Sequence, residues 1–331
     1  MPTQDLYPIK LTPTLKSALW GGTRLPDHWQ KGTPGTSVAE SWELTVREQE
    51  HNLIANGSHA GKTLTQLLYV SDGEALLGTA CRGMSRFPLL IKFIDAAQSL
   101  SVQVHPDDDY AARVESAKGD SGKNEMWYIV EAAPNAEIVY GLKPGVTAED
   151  FRRAVDEHRI AEVLHFHPVK AGECYYIPAG LVHAIGGGIL IAEIQQNSDL
   201  TYRVYDYDRR DANGNLRELH CDKACDVVCP MTESDINAKR YAANPSDATD
   251  AACLAHPAYF RVCRRTCTAD HSCCGTVTEE CFLHLLCLSG DCTIEAGNTT
   301  TAMSRGDSIF LPAGLGDYTV RGNAEWLESR V

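Results

Sequence analysis

GECYYIPAGLVHAI at residues 172–185 and GDSIFLPAGLGDYT at residues 306–319 share the pattern G-x5-P-x-G. In each copy a glycine opens the segment, a short apolar run of strand character follows, and a Pro-x-Gly turn closes it. Gly172 and Gly306 suit the turn entering the strand, while Pro178 with Gly180, and Pro312 with Gly314, suit the turn leaving it. One such match arises readily by chance; two with the same internal spacing make a duplicated unit the economical reading. Outward from these segments the chain keeps the same texture, short β-branched or aromatic runs broken by Gly, Pro, Asn and Asp, which is the pattern of an all-β sandwich or barrel. Three stretches carry helical spacing instead, over roughly 63–71, 107–118 and 147–164. Thr63 and Gln66 resemble a capping box, and Thr147 caps the third stretch with Asp150 three residues on. Phe151, Ala154, Val155, His158, Ala161 and Leu164 would form the face by which that helix packs on the outside of the barrel.

The repeat resembles the second conserved motif of the cupins, small double-sheet jelly rolls. The resemblance implies a mainly β protein of two cupin-like jelly-roll barrels with a few peripheral helices. Residues 1–229 would form a metal-binding catalytic barrel carrying the three helical insertions, the Pro/Asp/Asn-rich stretch 230–252 a linker, and 253–331 a second, metal-free barrel.

With 331 residues, 44% of them hydrophobic, the chain is long enough for two packed cores. Its net charge of −14 would repel a phosphate backbone, which argues against nucleic acid and restricts any phosphorylated partner to a small molecule in a local basic pocket. No stretch approaches the roughly 18 uninterrupted apolar residues of a membrane span, and MPTQDLYPIKL lacks the basic cluster and apolar run of a signal segment. The expected setting is therefore the cytoplasm. Eleven of the thirteen cysteines fall between Cys221 and Cys292, but none forms the C-x2-C pair of a structural zinc site. Reduced thiols packed as small hydrophobes are the expectation, with catalysis elsewhere.

In LSVQVHPDD the two-residue period of a strand puts Gln103 and His105 on one face, and in GKNEMWYIV it puts Glu125, Trp127 and Ile129 together. His183 follows the turn of the first repeat. One jelly roll can bring these strands together, so Gln103, His105, Glu125 and His183 are expected to converge. A lone histidine on a strand is more often a hydrogen-bonded structural residue. Four nitrogen and oxygen donors on inward faces point instead to a metal, because an unpartnered buried carboxylate costs several kcal/mol. Imidazole and oxygen donors without thiolate suit zinc, with iron, manganese and nickel left open.

LSVQVHPDD, GKNEMWYIV, IPAGLVHAIGGGILIAEIQQNSDLTYRVYDYDR and the early WGG at 20–22 resemble the signature segments of type I mannose-6-phosphate isomerases in their short bacterial form. The resemblance covers most of residues 5–230 and runs on more weakly into the second barrel. It implies one Zn2+ per chain held by Gln103, His105, Glu125 and His183, and interconversion of mannose 6-phosphate and fructose 6-phosphate through an enediol. Asn124 and Met126 depart from the expected neighbours of the glutamate, a matter of packing rather than coordination. Two imidazoles, an amide and a single carboxylate would leave such a site near +1, a good electrophile for substrate oxygens. The resemblance also implies substrate contacts by Lys92, Ser101, Lys123, Glu193, Arg203 and Arg209. Arg203 suits charge stabilisation on the phosphate or the enediolate because its donors form a planar fork. The alternation in GILIAEIQQ turns Glu193 inward as candidate proton carrier.

The repeat supplies an internal control. His183 corresponds to Asp317, Leu283 falls opposite Glu125, and nothing like Q-x-H precedes it, so the second barrel, with His271 and His284, should hold no metal. Three alternatives stand beside the isomerase: an iron or manganese oxygenase, a sugar-phosphate-binding regulator without catalysis, and a cupin phosphoglucose isomerase. The QVH pair and Arg203 disfavour the first, the intact ligands and arginine the second, and the absence of its usual pair of nearby histidines the third. Monomer and dimer are both compatible with the sequence.

Overall fold

A computed structural model describes residues 6–47, 49–69, 73–117, 119–211, 213–241 and 252–331. Two facing sheets make the first barrel. The six-stranded sheet runs Cys174–Ile177, Glu125–Ala132, Ile189–Gln196, Leu89–Ala96, Glu40–Leu44 and Thr14–Lys16; the five-stranded sheet runs Tyr202–Tyr205, Val102–Val104, His183–Ala184, Glu137–Leu142 and Leu164–Pro168. Both central strands of the larger sheet, Leu89–Ala96 and Ile189–Gln196, are buried along their whole length. One face of that sheet lines the barrel, and the other is covered by apolar contacts such as Phe93 against Trp29 of the Arg24–Trp29 helix, 4.9 Å between ring centroids. This double burial explains why ILIAEIQQ reads as a nearly continuous apolar run rather than a strict alternation.

The second barrel is one nine-stranded sheet, wound around the long strands Leu283–Ala296 and Gly316–Arg330. Its own core gathers Leu285, Ile294, Met303, Ile309, Val320 and Trp326. Two strands from the start of the chain complete it: Ile9–Thr12 pairs antiparallel with Ser308–Leu311, Ile9 opposite Phe310, and Leu53–Ile54 pairs with Ile9–Thr12. Phe282 stacks between Phe87 and Phe310, with ring centroids 5.5 and 5.2 Å away, and joins the two barrels into a continuous apolar core.

Both copies of the repeat fold alike. Gly172 and Gly306 enter their strands at φ 89° and 88°, and Gly180 and Gly314 leave at 88° and 78°, left-handed values that favour glycine. Thr63 and Thr147 close capping boxes with Gln66 and Asp150 on helices Leu64–Leu68 and Ala148–Asp156, and Asp107 caps Asp108–Val114. The helix after Thr147 is shorter than its apolar spacing suggests. His158 adopts φ 55° and Arg159 N–H bonds Ala154 O at 2.7 Å, a Schellman-type closure that leaves His158 and Ala161 in solvent. Phe151, Ala154 and Val155 are its buried residues, and Phe151 and Val155 pack with Val104 of the five-stranded sheet and with Val182, just before its His183–Ala184 strand. Within the 230–252 stretch Glu233–Arg240 is helical, capped by Thr232, and residues 242–251 lie outside the described residues.

Candidate active site

Strand register assembles the site as two rows that face each other across the first barrel. On the five-stranded sheet Arg203 lies opposite Gln103, and Gln103 opposite His183. On the six-stranded sheet Trp127, Glu193, Lys92 and Trp42 stand side by side on four neighbouring strands. Directly opposed residues in antiparallel sheets share a face, so each row presents its side chains together.

Between the rows, His105, Glu125 and His183 cluster with their donor atoms within 4.8 Å of one another, all three residues buried. His105 Nδ1 lies 2.7 Å from Leu200 O and His183 Nδ1 2.8 Å from Leu181 O. A carbonyl can only accept, so each ring carries its hydrogen on Nδ1 and presents a bare Nε2 lone pair. These two lone pairs face each other at 3.1 Å, with Glu125 Oε1 3.3 Å from His105 Nε2. Three acceptors converging on one point repel unless a cation lies between them. Donors on a tetrahedral zinc at 2.0–2.1 Å would stand about 3.3–3.4 Å apart, close to these separations. The carbonyl partners on Nδ1 are the usual second contact of a metal-bound imidazole. Glu125 Oε1 supports the same fit: Lys123 Nζ sits 2.7 Å away but off the line of a hydrogen bond, so this buried oxygen has no hydrogen-bond partner among the described residues. The Gln103 amide reaches 3.4 Å from His183 Nε2, and turning the amide over places its oxygen as a fourth donor.

Electrostatics divide the cluster's surroundings. Burial, then the neighbouring His105, pushes His183 down to about 3, and burial with Lys123 lowers His105, so both imidazoles stay neutral. Burial works against the Glu125 carboxylate, but the Lys123 charge beside it holds it well below the usual range. Glu193 behaves oppositely: burial and the Glu125 charge push it up to about 7, against the pull of Lys92. Its carboxylate lies 3.3 Å from Lys92 Nζ and accepts from Trp127 Nε1 at 2.9 Å, while the same indole reaches Glu125 Oε2 at 3.1 Å. Burial also opposes the Lys92 ammonium, yet Glu40, 3.4 Å away, and Glu193 more than offset it and raise its pKa.

A cavity of about 420 Å³ opens beside the cluster, and Lys92, Ser101, Gln103, Lys123, Glu193 and Arg203 all line it. Arg203 donates through Nε to Ser101 Oγ at 3.2 Å and through Nη1 to Glu218 O at 2.8 Å. Arg209 is not on the lining. It donates to Ser99 O at 2.7 Å and pairs with Asp206, which places it behind the Ser99–Ser101 segment. Asn124 ties its own strand to the repeat's turn, accepting from Tyr176 OH and Ala179 N, both at 3.0 Å.

Several lining residues escape the sequence reading. Glu40 and Trp42 alternate along ESWEL, a signal that was open to the two-residue rule. Arg217, His220 and Lys223 lie in a polar run without periodicity and reach the cavity because the chain folds back on the Arg203 strand, His220 N bonding Arg203 O at 2.7 Å. In the second barrel Asp317 is exposed and bonded to Thr276, and His284 is buried with Ser308 Oγ 2.7 Å from its Nε2. Among the described residues His105, Glu125 and His183 form the one His/Cys/Asp/Glu cluster able to hold a metal.

Comparison with known proteins bears on this arrangement. Residues 9–139 match the family described as phosphomannose isomerase type I, catalytic domain, and 266–331 match the mannose-6-phosphate isomerase cupin domain. The chain is 36% identical to mannose-6-phosphate isomerase ManA of Bacillus subtilis, with 98% of this chain and 99% of that protein covered. It is 32% identical to the mannose-6-phosphate isomerase of Streptococcus mutans, with 97% and 98% covered. The crystal structure of the mannose 6-phosphate isomerase from Bacillus subtilis superimposes with a TM-score of 0.83 at 32% identity, covering 98% of this chain and 99% of that one. A zinc-bound mannose 6-phosphate isomerase at 15% identity shares the fold, with a TM-score of 0.75 and coverage of 97% and 98%.

Proposed function

The chain belongs to the type I mannose-6-phosphate isomerase family, and from that premise we propose that it interconverts mannose 6-phosphate and fructose 6-phosphate through an enediolate, with one zinc held by Gln103, His105, Glu125 and His183. The observation that carries this reading is the pair of bare imidazole lone pairs 3.1 Å apart beside a buried carboxylate, next to a cavity lined by ammonium and guanidinium groups. When bound, zinc supplies a Lewis acid for the oxygens on the two carbons between which the proton moves. Glu193 takes the proton from one carbon and returns it to its neighbour. Its buried carboxyl, raised to about 7, is poised for both directions near neutral pH. Lys92 and Trp127 Nε1 fix the orientation of that carboxylate. Arg203, anchored on Ser101 and Glu218 O, turns a fixed fork toward negative charge on the substrate. Lys123 neutralises Glu125, and Arg209 positions the Ser99–Ser101 segment. The free thiols throughout the chain support a cytoplasmic, reducing setting.

Metal analysis joined to an assay on mannose 6-phosphate tests the proposal. About one zinc per chain, removed together with activity by a chelator and restored by zinc, is the expected result. Conversion that persists in metal-free protein would overturn it.

A further inference from the structure

We propose that Arg217, assisted by Lys223, takes the phosphate group of the substrate and so leaves Arg203 to act at the reacting carbons; this rests on the isomerase reading above. The cavity is graded in exposure. Lys92 and Lys123 at its floor are each 6% exposed, whereas Arg217 and Lys223 at its mouth are 37% and 40% exposed. A phosphate dianion keeps part of its hydration most cheaply at the wet end, with the carbons toward the metal cluster.

The counter-ion nearest Arg217 is shared. Asp206 is held in close contact by Arg209, and Arg217 stands 3.6 Å from the same carboxylate oxygen with no hydrogen bond among the described residues. Glu115 Oε1 is shared between Lys223 Nζ at 2.6 Å and Tyr202 OH at 3.0 Å. Arg209 and Arg217 thus divide one carboxylate while Lys223 is paired with Glu115, so the surplus positive charge at the mouth rests on Arg217 beside Arg203, a local exception in a protein of net charge −14 that an anion would satisfy. His220 lines the same wall: its Nδ1 accepts from Arg203 N at 3.3 Å, which places the hydrogen on Nε2, 3.9 Å from Glu218 Oε2. Arg203 itself is one step nearer the metal cluster. It is the register partner of Gln103, and its Nη1 grips Glu218 O, next in sequence to Arg217. The order from floor to mouth is therefore metal cluster, Arg203, Arg217, which matches a sugar phosphate entering with its carbonyl end first.

Steady-state kinetics of the zinc enzyme test the assignment. Arg217→Gln should raise KM for mannose 6-phosphate about tenfold or more, the loss expected for a charged hydrogen bond, with kcat changed by less than roughly threefold. Inhibition by inorganic phosphate should weaken in parallel, and Arg217→Lys should recover part of both. A structural role alone would not couple KM to phosphate inhibition at unchanged kcat. The assignment is overturned if Arg217→Gln and the double variant with Lys223→Gln both keep KM and phosphate inhibition within about twofold of the wild type. Wild-type protein inactive on mannose 6-phosphate would defeat the isomerase reading instead, and calorimetric binding of inorganic phosphate to the wild type, lost in Arg217→Gln, would then decide the phosphate assignment alone.

Discussion

Arg203 shows how a single side chain's geometry sets what a substitution does. Lysine keeps the charge but cannot donate both to Ser101 Oγ and to Glu218 O while facing the substrate, so Arg203→Lys should keep its metal and its fold yet lose on the order of 10²-fold in kcat. Metal analysis and kinetics on one preparation check this, and unchanged kcat would remove the arginine from the chemistry. His183→Ala opens the cluster from one side and should abolish metal retention and turnover together, read by the same two measurements. In the proposed mechanism Glu193 works as a base only when ionised, so kcat should climb as pH rises through the neutral range, and Glu193→Gln should lose that limb along with most of the activity. The convergence of His105, Glu125 and His183 was legible because a period of two fixes the faces of the first two and the turn of the first repeat places the third. Arg217 and Lys223 were not. Their relation to the cavity comes from a chain reversal that pairs His220 with Arg203, and no local pattern encodes it.

At the scale of elements, chemistry at strand ends and helix caps proved more readable than length. The capping boxes at Thr63 and Thr147 stand in the sequence as pairs three residues apart, whereas the end of the Ala148–Asp156 helix depends on His158 accepting a left-handed backbone, an option the apolar spacing up to Leu164 conceals. Short helices such as Arg24–Trp29 and Cys221–Val227 are hidden in the sequence because, unlike Leu64–Leu68 and Asp108–Val114, they have no side-chain cap to mark their start. Thr147→Ala should cost about 1 kcal/mol in urea unfolding without altering kcat, since the helix covers the outer face of the five-stranded sheet and touches no substrate. Of the cysteines in the second barrel, Cys267, Cys287 and Cys292 are buried in its core as expected of small hydrophobes, whereas Cys273 is half-buried and Cys274 exposed. Cys273 and Cys274 lie on a strand beside Gly316–Arg330, with Arg265 and Thr319 as their sulfur contacts. Replacing both by Ser should leave metal content and turnover unchanged, and lost turnover in a folded, zinc-loaded variant would reveal a site in this barrel.

For the molecule as a whole, buried neutral histidines set its tolerance of acid, His105, which burial also lowers, among them. His183 and His284 are both depressed to about 3 by burial, from an ordinary value of 6.5. Their folded pKa values lie below the unfolded ones, so their contribution to stability is complete above about 6.5 and is lost as pH falls toward 3. Chelator-treated protein should therefore unfold at progressively lower urea concentration across that window, and a flat profile would contradict their burial as neutral groups. The duplicated barrel could be read from two matching glycine and proline turns. The union of Ile9–Thr12 with Ser308–Leu311 could not, because nothing in either strand names a partner some 300 residues away. That pairing has a consequence for the protein's birth. At roughly 5–20 residues per second, the ribosome needs on the order of 15–60 s after making the first strand before it delivers the second. Throughout that interval the Ile9–Thr12 strand waits without Ser308–Leu311, and within it the apolar surface around Phe87 waits about 10–40 s for Phe282, so the nascent chain, more than the finished enzyme, is where chaperones would be needed and where aggregation would begin.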